Sequence, residues 1–369
     1  MDLRYTYRLG FALSAALWLS ACGGKLFQIP YNTEPDEPEP TAIKVGLELG
    51  GANKFFKKWL DVEQIDISGM ARLDNGDFFL IHDSKDSPAE QFRPRFGVLS
   101  IDAVNGTSLY QEIRLSDRTW RKLGGPANDL EAICGLPQNS DEFLLLESSN
   151  YNGRDGRIFH VRLKQRGKKW KIKILGMASL PKQDEDEETP YNFEGMGCVQ
   201  EADDRVEVVL GDRGEGKHRS RLFWNTLDLR KHRFLRGDRF KVLEYGIRAP
   251  VWETLGETNV RHISDLYIDK LGRMWIASAY DEGDFGPFAS VVYMAGYASP
   301  GHILPVDWNP DPVFQVKIGG IKIEALGPAL SDDCLLSVGT DDEGFGGQLG
   351  EVFCKDPEVK VYNENLPTN

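Results

Sequence analysis

Five times along the chain an apolar run breaks at one position for a small polar or acidic residue and then resumes. The five stretches are DISGMARLDNGDFFLIHD (66–83), DLEAICGLPQNSDEFLLLES (129–148), NFEGMGCVQEADDRVEVVLGD (192–212), HISDLYIDKLGRMWIASAYD (262–281) and KIEALGPALSDDCLLSVGTD (322–341). Each reads as a short apolar strand, a polar turn, and a second strand ending on a polar or acidic tip. The turns carry hairpin chemistry, as in Asp74-Asn75-Gly76 and Leu271-Gly272. A third strand follows each pair, with FGVLSI, RIFHVRL, SRLFWNTL, ASVVYMA and GEVFC as the candidates. No amphipathic helical stretch exceeds about ten residues.

The interrupting residues are Ser68, Glu131, Glu194, Ser264 and Glu324, spaced 63, 63, 70 and 60 apart. Regular β units of about this length imply radial repetition, so the chain is expected to be an all-β, five-bladed β-propeller over residues 43–369. The wider gap before Ser264 leaves a six-bladed ring with one degenerate blade open. IKVGLEL (43–49) precedes the first repeat and EVKVYN (358–363) follows the last, and one of them is expected to supply the outer strand that closes the ring.

The ends of the chain read differently. Residues 1–21 carry Arg4 and Arg8, a largely apolar run too short to span a bilayer, and then Leu19-Ser20-Ala21-Cys22. This resembles a bacterial lipoprotein signal with its lipobox, which implies cleavage before Cys22, acylation of its sulfur, and attachment to a membrane by acyl chains alone. An ordinary secretory signal is the alternative. Gly23 and Gly24, in place of Asp, imply passage to the outer membrane, facing the periplasm. Residues 22–42 are rich in Pro and Glu and read as a tether.

A net charge of −13 argues against nucleic acid and anionic membrane surfaces as partners, and is compatible with metal cations. With Cys22 acylated, four of the five cysteines remain for an oxidising compartment. Cys334 and Cys354 flank two predicted strands, and Cys134 and Cys198 hold equivalent places in neighbouring repeats. These two pairings are favoured out of the three that four cysteines allow.

In a propeller the first strand of each blade lines the axis, so Ser68, Glu131, Glu194, Ser264 and Glu324 are expected to converge there. Three carboxylates in a desolvated channel repel unless protonated or neutralised. An all-oxygen ring of carboxylate and hydroxyl suits a hard cation, Ca²⁺ better than Mg²⁺. The plainer reading is that each Glu marks strand entry and bonds adjacent backbone N–H groups. The contexts ISG, LEA, FEG, ISD and IEA resemble the calcium-activated nucleotidases (apyrases), five-bladed propellers with one axial Ca²⁺, and also esterase-like phytase domain propellers. The resemblance covers most of residues 60–355 and implies an axial Ca²⁺.

The loops after each second strand share the end of the hairpin with this ring. GDRGEGKHRSR (211–221) is basic, and HDSKDSPAEQFRPR (82–95) is mixed. Arg and Lys near a divalent ion suit a phosphorylated small molecule, because charge grows on the non-bridging oxygens. The nucleotidase resemblance implies Asp83, Asp212 and Arg213 as catalytic, with Asp83 or Asp212 orienting water. Lys217, Arg219 and Arg154 are the candidates for holding phosphate. The first loop lacks that family's Asp-Arg-Thr-Gly run, and the third lacks its paired arginines. His82, His218 and His262 have no nucleophile beside them in any triad context. Three functions therefore stand: a Ca²⁺-dependent phosphohydrolase, a non-catalytic envelope propeller binding a ligand or a protein partner, and a metal-dependent esterase or lactonase.

Overall fold

The computed structural model describes residues 42–43, 51–55, 66–85, 93–102, 107–148, 156–180, 191–237, 239–243, 246–250, 258–305, 314–342 and 346–355. The signal, Cys22, the tether up to residue 41 and the segment 358–363 lie outside them.

The second strands are nearly unbroken apolar runs because both of their faces are buried. In blade 1, Phe78 and Leu80 point to one side and pack with Ala325 and Leu349 of blade 5. Phe79 and Ile81 point to the other and pack with Leu130, Ile133 and Phe143 of blade 2. The period-two alternation of a strand thus serves two interfaces at once. The same division recurs at every seam, so the core is five clusters, one between each pair of neighbouring blades.

Five antiparallel sheets follow from this. Blade 1 runs Gly69–Arg72, Phe78–Ile81, Phe96–Asp102 and Thr107–Glu112 from the axis outward. Blade 2 is Leu130–Leu136, Asn139–Glu147, Arg157–Arg166 and Lys169–Ser179. Blade 3 is Phe193–Ala202, Arg205–Asp212 and Leu222–Asp228, edged by Arg233–Phe234 and Lys241–Val242. Blade 4 is Val260–Ile268, Arg273–Asp281, Phe288–Ser299 and Gln315–Gly319, with His302–Pro305 on its third strand. Blade 5 is Ile323–Pro328, Leu336–Thr340 and Leu349–Lys355. Each inner strand packs on the next, and the fifth returns to the first. The ring is five-bladed, which removes the six-bladed alternative; the long gap before Ser264 is taken up by the edge strands of blade 3.

Closure corrects one expectation. The outer strand of blade 5 is Gly51–Phe55, which pairs Gly51 with Lys355 and Phe55 with Gly350. It lies just beyond the 43–49 run, one of the two segments expected for it. Ala42–Ile43 instead joins the outer edge of blade 4, opposite Ile318 and Lys317. Hydrogen-bonding the start of the chain to its last blade leaves the ring without an open edge at that seam.

Among the described residues the single helix is Asp117–Lys122, capped by Ser116, whose side chain accepts from the Thr119 N–H. It wedges Trp120 between Phe96 and Phe159 at the seam of blades 1 and 2. Both disulfides pair as the repeat positions suggested. Cys134–Cys198 ties the inner strands of blades 2 and 3, and Cys334–Cys354 closes blade 5 on itself.

Candidate functional site at the axial mouth

Each glutamate of the ring is the extra residue of a β-bulge. Glu131 falls between the pairs Leu130–Glu147 and Ala132–Leu146. Glu194 falls between Phe193–Asp212 and Gly195–Gly211, and Glu324 between Ile323–Thr340 and Ala325–Gly339. Ser264 sits in the irregular stretch between Arg261–Ala279 and Asp265–Ala277. Ser68 immediately precedes the first pair of blade 1, Gly69–Ile81. A bulge residue drops out of the pleat and its side chain is re-aimed. That is how a carboxylate occupies the start of an otherwise apolar strand.

The small residue after each glutamate serves the same geometry. A Cβ on Gly195 would lie 2.7 Å from Leu266 N, so only glycine lets the inner strands of blades 3 and 4 close up here.

All five ring residues are buried. The three glutamates sense one another: burial pushes the Glu131 carboxyl well above the usual range, with Glu194, Asp129 and Glu324 adding to it and Lys85 opposing. Glu324 is raised by burial, with Asp341 and Glu194 adding and Lys322 and Arg261 opposing. The plainer reading of strand-entry markers does not hold, since among the described residues none of the three accepts from a backbone N–H. Glu194 Oε1 accepts from Asn192 Nδ2 at 2.6 Å and faces Arg213 Nη1 at 3.9 Å. Glu324 Oε1 takes Arg261 at 2.8 Å and Lys322 at 3.2 Å.

Much of the charge around the ring was not legible beforehand. Lys322, 1 % exposed, also reaches Asp341 at 2.7 Å and Asp281 at 3.7 Å. Arg261 bridges Asp281 and Glu324. Lys85 pairs with Asp83 and Asp129 across the seam of blades 1 and 2, and burial that would lower its ammonium is outweighed by Glu131, Asp129 and Asp83. The available signal was adjacency: Asp129 and Lys322 stand two residues before a ring glutamate, and Arg261 three before Ser264.

The predicted loop residues do not form one cluster. Asp83 is raised to about 6, first by burial, with Lys85 opposing and Asp341 and Asp129 adding. Asp212 belongs to another neighbourhood, where it accepts from Asn192 N at 3.0 Å and faces Arg221 at 3.5 Å. Arg213 lies between Glu194 and Glu215. Lys217 and Arg219 are exposed on the 213–220 turn, which is held at the mouth by Gly216 N donating to Val260 O. Arg154 lies outside the described residues. His82 and His262 are buried and serve the fold: His82 joins Asp66 O and Tyr110, and His262 joins Ala249 N and Gly216 O. His218 is exposed.

Whether the ring fits a hard cation is decided by its free oxygens and its charge. Among the described residues the polar contacts of Glu194 and Glu324 fall on Oε1 and not on Oε2. Glu131 makes no hydrogen bond among them, and Ser68 Oγ is buried without one. Ser264 Oγ donates to Ile323 O at 2.7 Å and keeps its lone pairs. Carboxyl groups outnumber cationic side chains here: Asp83, Asp129, Glu131, Glu194, Asp281, Glu324 and Asp341 stand beside Lys85, Arg213, Arg261 and Lys322, and burial holds Glu131 and Glu324 well above the usual carboxylate range. The donor set fits in chemistry, although among the described residues no three acidic, His or Cys side chains are gathered closely enough to form a closed metal site.

The fold and this mouth define the class: a five-bladed β-propeller with an acid-rich axial face. No protein-family profile matches the chain, and no curated protein matches it. Among solved structures it is similar to an exo-1,5-α-L-arabinanase from a bovine ruminal metagenomic library, at 11 % identity and a TM-score of 0.46 over 80 % of this chain and 95 % of that one. It is also similar to the Cellvibrio cellulosa α-L-arabinanase, at 13 % identity and a TM-score of 0.44 over 78 % and 91 %. The α-L-arabinofuranosidase of Podospora anserina matches at 9 % identity and a TM-score of 0.42 over 83 % and 96 %. None of these three is a nucleotidase or a phytase, and at such identities and TM-scores they lend nothing to the assignment of residues.

Proposed function

We propose that the protein is a lipid-anchored propeller of the bacterial cell envelope whose axial ring, Ser68, Glu131, Glu194, Ser264 and Glu324, holds Ca²⁺ and presents it to a phosphorylated small molecule. The observation that supports this is the excess of buried carboxyl groups over cationic side chains, with Glu131 and Glu324 held well above the usual range, beside the buried Ser68 Oγ that has no hydrogen-bond partner. Such an excess is costly in a desolvated channel, and a divalent cation offsets it.

The cation, when bound, supplies positive charge at the mouth that an otherwise acidic face lacks. Arg213, Lys217 and Arg219 then stand on the rim of the same face for the oxygens of a phosphate group. Asp212 is committed to Asn192 and Arg221, so Asp83 is the carboxyl left to hold or move a proton at the mouth. Capture of the ligand follows from the ring and the rim alone. Hydrolysis would in addition require Asp83 to orient water.

Thermal unfolding with added CaCl₂ tests the ring. At a hundred times its dissociation constant a bound ion stabilises by about 2.7 kcal/mol. Wild-type protein is expected to gain that stability and Glu194→Gln to lose most of it. A wild-type midpoint indifferent to Ca²⁺ would sink the proposal. A phosphate-release screen over nucleotides, phytate and simple phosphate esters, with and without chelator, separates a hydrolase from a binding protein.

A further inference from the structure

The hairpin that carries Glu194 at one end carries a second polar cluster at the other. Glu207 opens the second strand of blade 3 and pairs with Thr226, while Trp224 pairs with Val209. Period-two alternation therefore sets Glu207, Thr226 and Trp224 on one face of the sheet, the face turned to blade 4. The blade 4 turn is clamped over them: Gly301 N donates to Glu207 Oε2 at 2.8 Å, and Lys241 Nζ donates to Gly301 O at 3.1 Å.

A half-open cavity of about 150 Å³ remains between them, lined by Glu207, Trp224, Thr226 and Lys241, with Glu201 and Arg236 also on its wall. Three buried polar atoms of lining residues have no hydrogen-bond partner: the Asn225 Oδ1 acceptor and, on the face that Glu207, Trp224 and Thr226 share, the Glu207 Oε1 acceptor and the Trp224 Nε1 donor. Glu207 is only 4 % exposed. Leaving such atoms unsatisfied costs about 1–3 kcal/mol each, so the cavity is built for an occupant that satisfies the two on that face.

We propose that this seam cavity is a binding site for a neutral, hydroxyl-rich small molecule the size of one sugar ring, separate from the axial site. The wall carries Glu201 and Glu207 against Lys241 and Arg236, and burial raises the Glu207 carboxyl, so a cationic ligand is not required. What is missing is a group that donates to a carboxylate and accepts from an indole N–H, and hydroxyls do both. The volume equals that of about five waters, too small for an oligosaccharide.

Indole-¹⁵N labelling tests it on the mature chain. Among the seven tryptophans left once Trp18 departs with the signal, the Trp224 N–H resonance is assigned with Trp224→Phe and followed during titration with D-glucose, D-mannose and D-arabinose, with acetamide as the amide control. The expected result is a saturable shift of that resonance with at least one sugar. Glu207→Gln, which retains an acceptor for Gly301 N, is expected to weaken binding by about 10-fold or more, the range for loss of a charged hydrogen bond. In calorimetry Trp224→Phe keeps the ring, loses the donor and is expected to bind more weakly. A resonance unmoved by every sugar means a water-filled cavity and overturns the proposal. A shift with acetamide alone, or an unchanged affinity in Glu207→Gln, does the same. None of these outcomes bears on the axial ring.

Discussion

Replacing Lys322 by methionine removes one buried ammonium while keeping the length of its stem. Its Nζ lies 2.7 Å from Asp341, 3.2 Å from Glu324 and 3.7 Å from Asp281. At an effective dielectric of about 20 the Asp341 pairing alone is worth about 6 kcal/mol of attraction, against several kcal/mol for dehydrating the ammonium. Of the three acids left behind, Asp281 and Glu324 keep Arg261. They can escape part of the repulsion by taking up protons, which limits the loss to about 3–5 kcal/mol, the usual cost of breaking a buried pair from one side.

Urea unfolding followed by tryptophan fluorescence reads this as a lower midpoint at unchanged slope. The deficit should be larger at pH 8 than at pH 5, because protonation relieves the stranded acids. With one cation fewer at the mouth, the variant should also gain more from Ca²⁺ than wild type does. A loss under about 1 kcal/mol, or one that grows at low pH, would refute the view that Lys322 neutralises the mouth.

Three further outcomes are expected. His82, whose ring nitrogens meet Asp66 O and Tyr110, is pushed down to about 4 by burial, with the bond to Asp66 O and the nearby Glu112 opposing. The unfolded chain protonates near 6.5, so this contribution is intact above that pH and is lost as pH falls toward 4, by about 3 kcal/mol; the difference in urea stability between wild type and His82→Gln across that window measures it. Gly195→Ala should lose about 1–3 kcal/mol in the same assay, since the new Cβ meets Leu266 N at 2.7 Å and Leu266 Cβ at 2.8 Å; a neutral result would mean the inner strands separate freely. Cys134→Ser with Cys198→Ser opens a loop spanning 64 positions and should cost about 4 kcal/mol by loop entropy, checked as a fall in the urea midpoint relative to wild type without reductant.

How far the site could be read in advance depended on whether its residues carry a local pattern. The ring positions were legible because five repeats place them at one point of a repeated unit, and the bulge at Glu131, Glu194 and Glu324 explains the break in apolar pattern that marked them. Gly195 was legible as a small residue at the axis for the same reason. Lys85, Asp129, Arg261, Asp281 and Asp341 were not, because each meets its partner across a hairpin or a blade seam. Lys322 stands two residues before Glu324, yet its links to Asp281 and Asp341 are equally nonlocal. Asp83 and Asp212 looked interchangeable as loop carboxyls, yet one faces Lys85 and the other is held by Asn192 and Arg221.

The sequence by itself pointed to the five blades, the ring positions and the two favoured disulfide pairings, since each follows from periodicity that a strand or a repeat imposes locally; the structure removed the six-bladed ring and the other pairings. Only the tertiary structure decided which segment closes the ring. Gly51–Phe55 was chosen over 43–49 by hydrogen-bond register with Leu349–Lys355, a partner some three hundred residues away. It alone also decided the charge balance at the mouth and the orphaned pair Glu207 and Trp224, because the energy of a buried ion or polar atom depends on what neighbouring blades bring within a few ångströms.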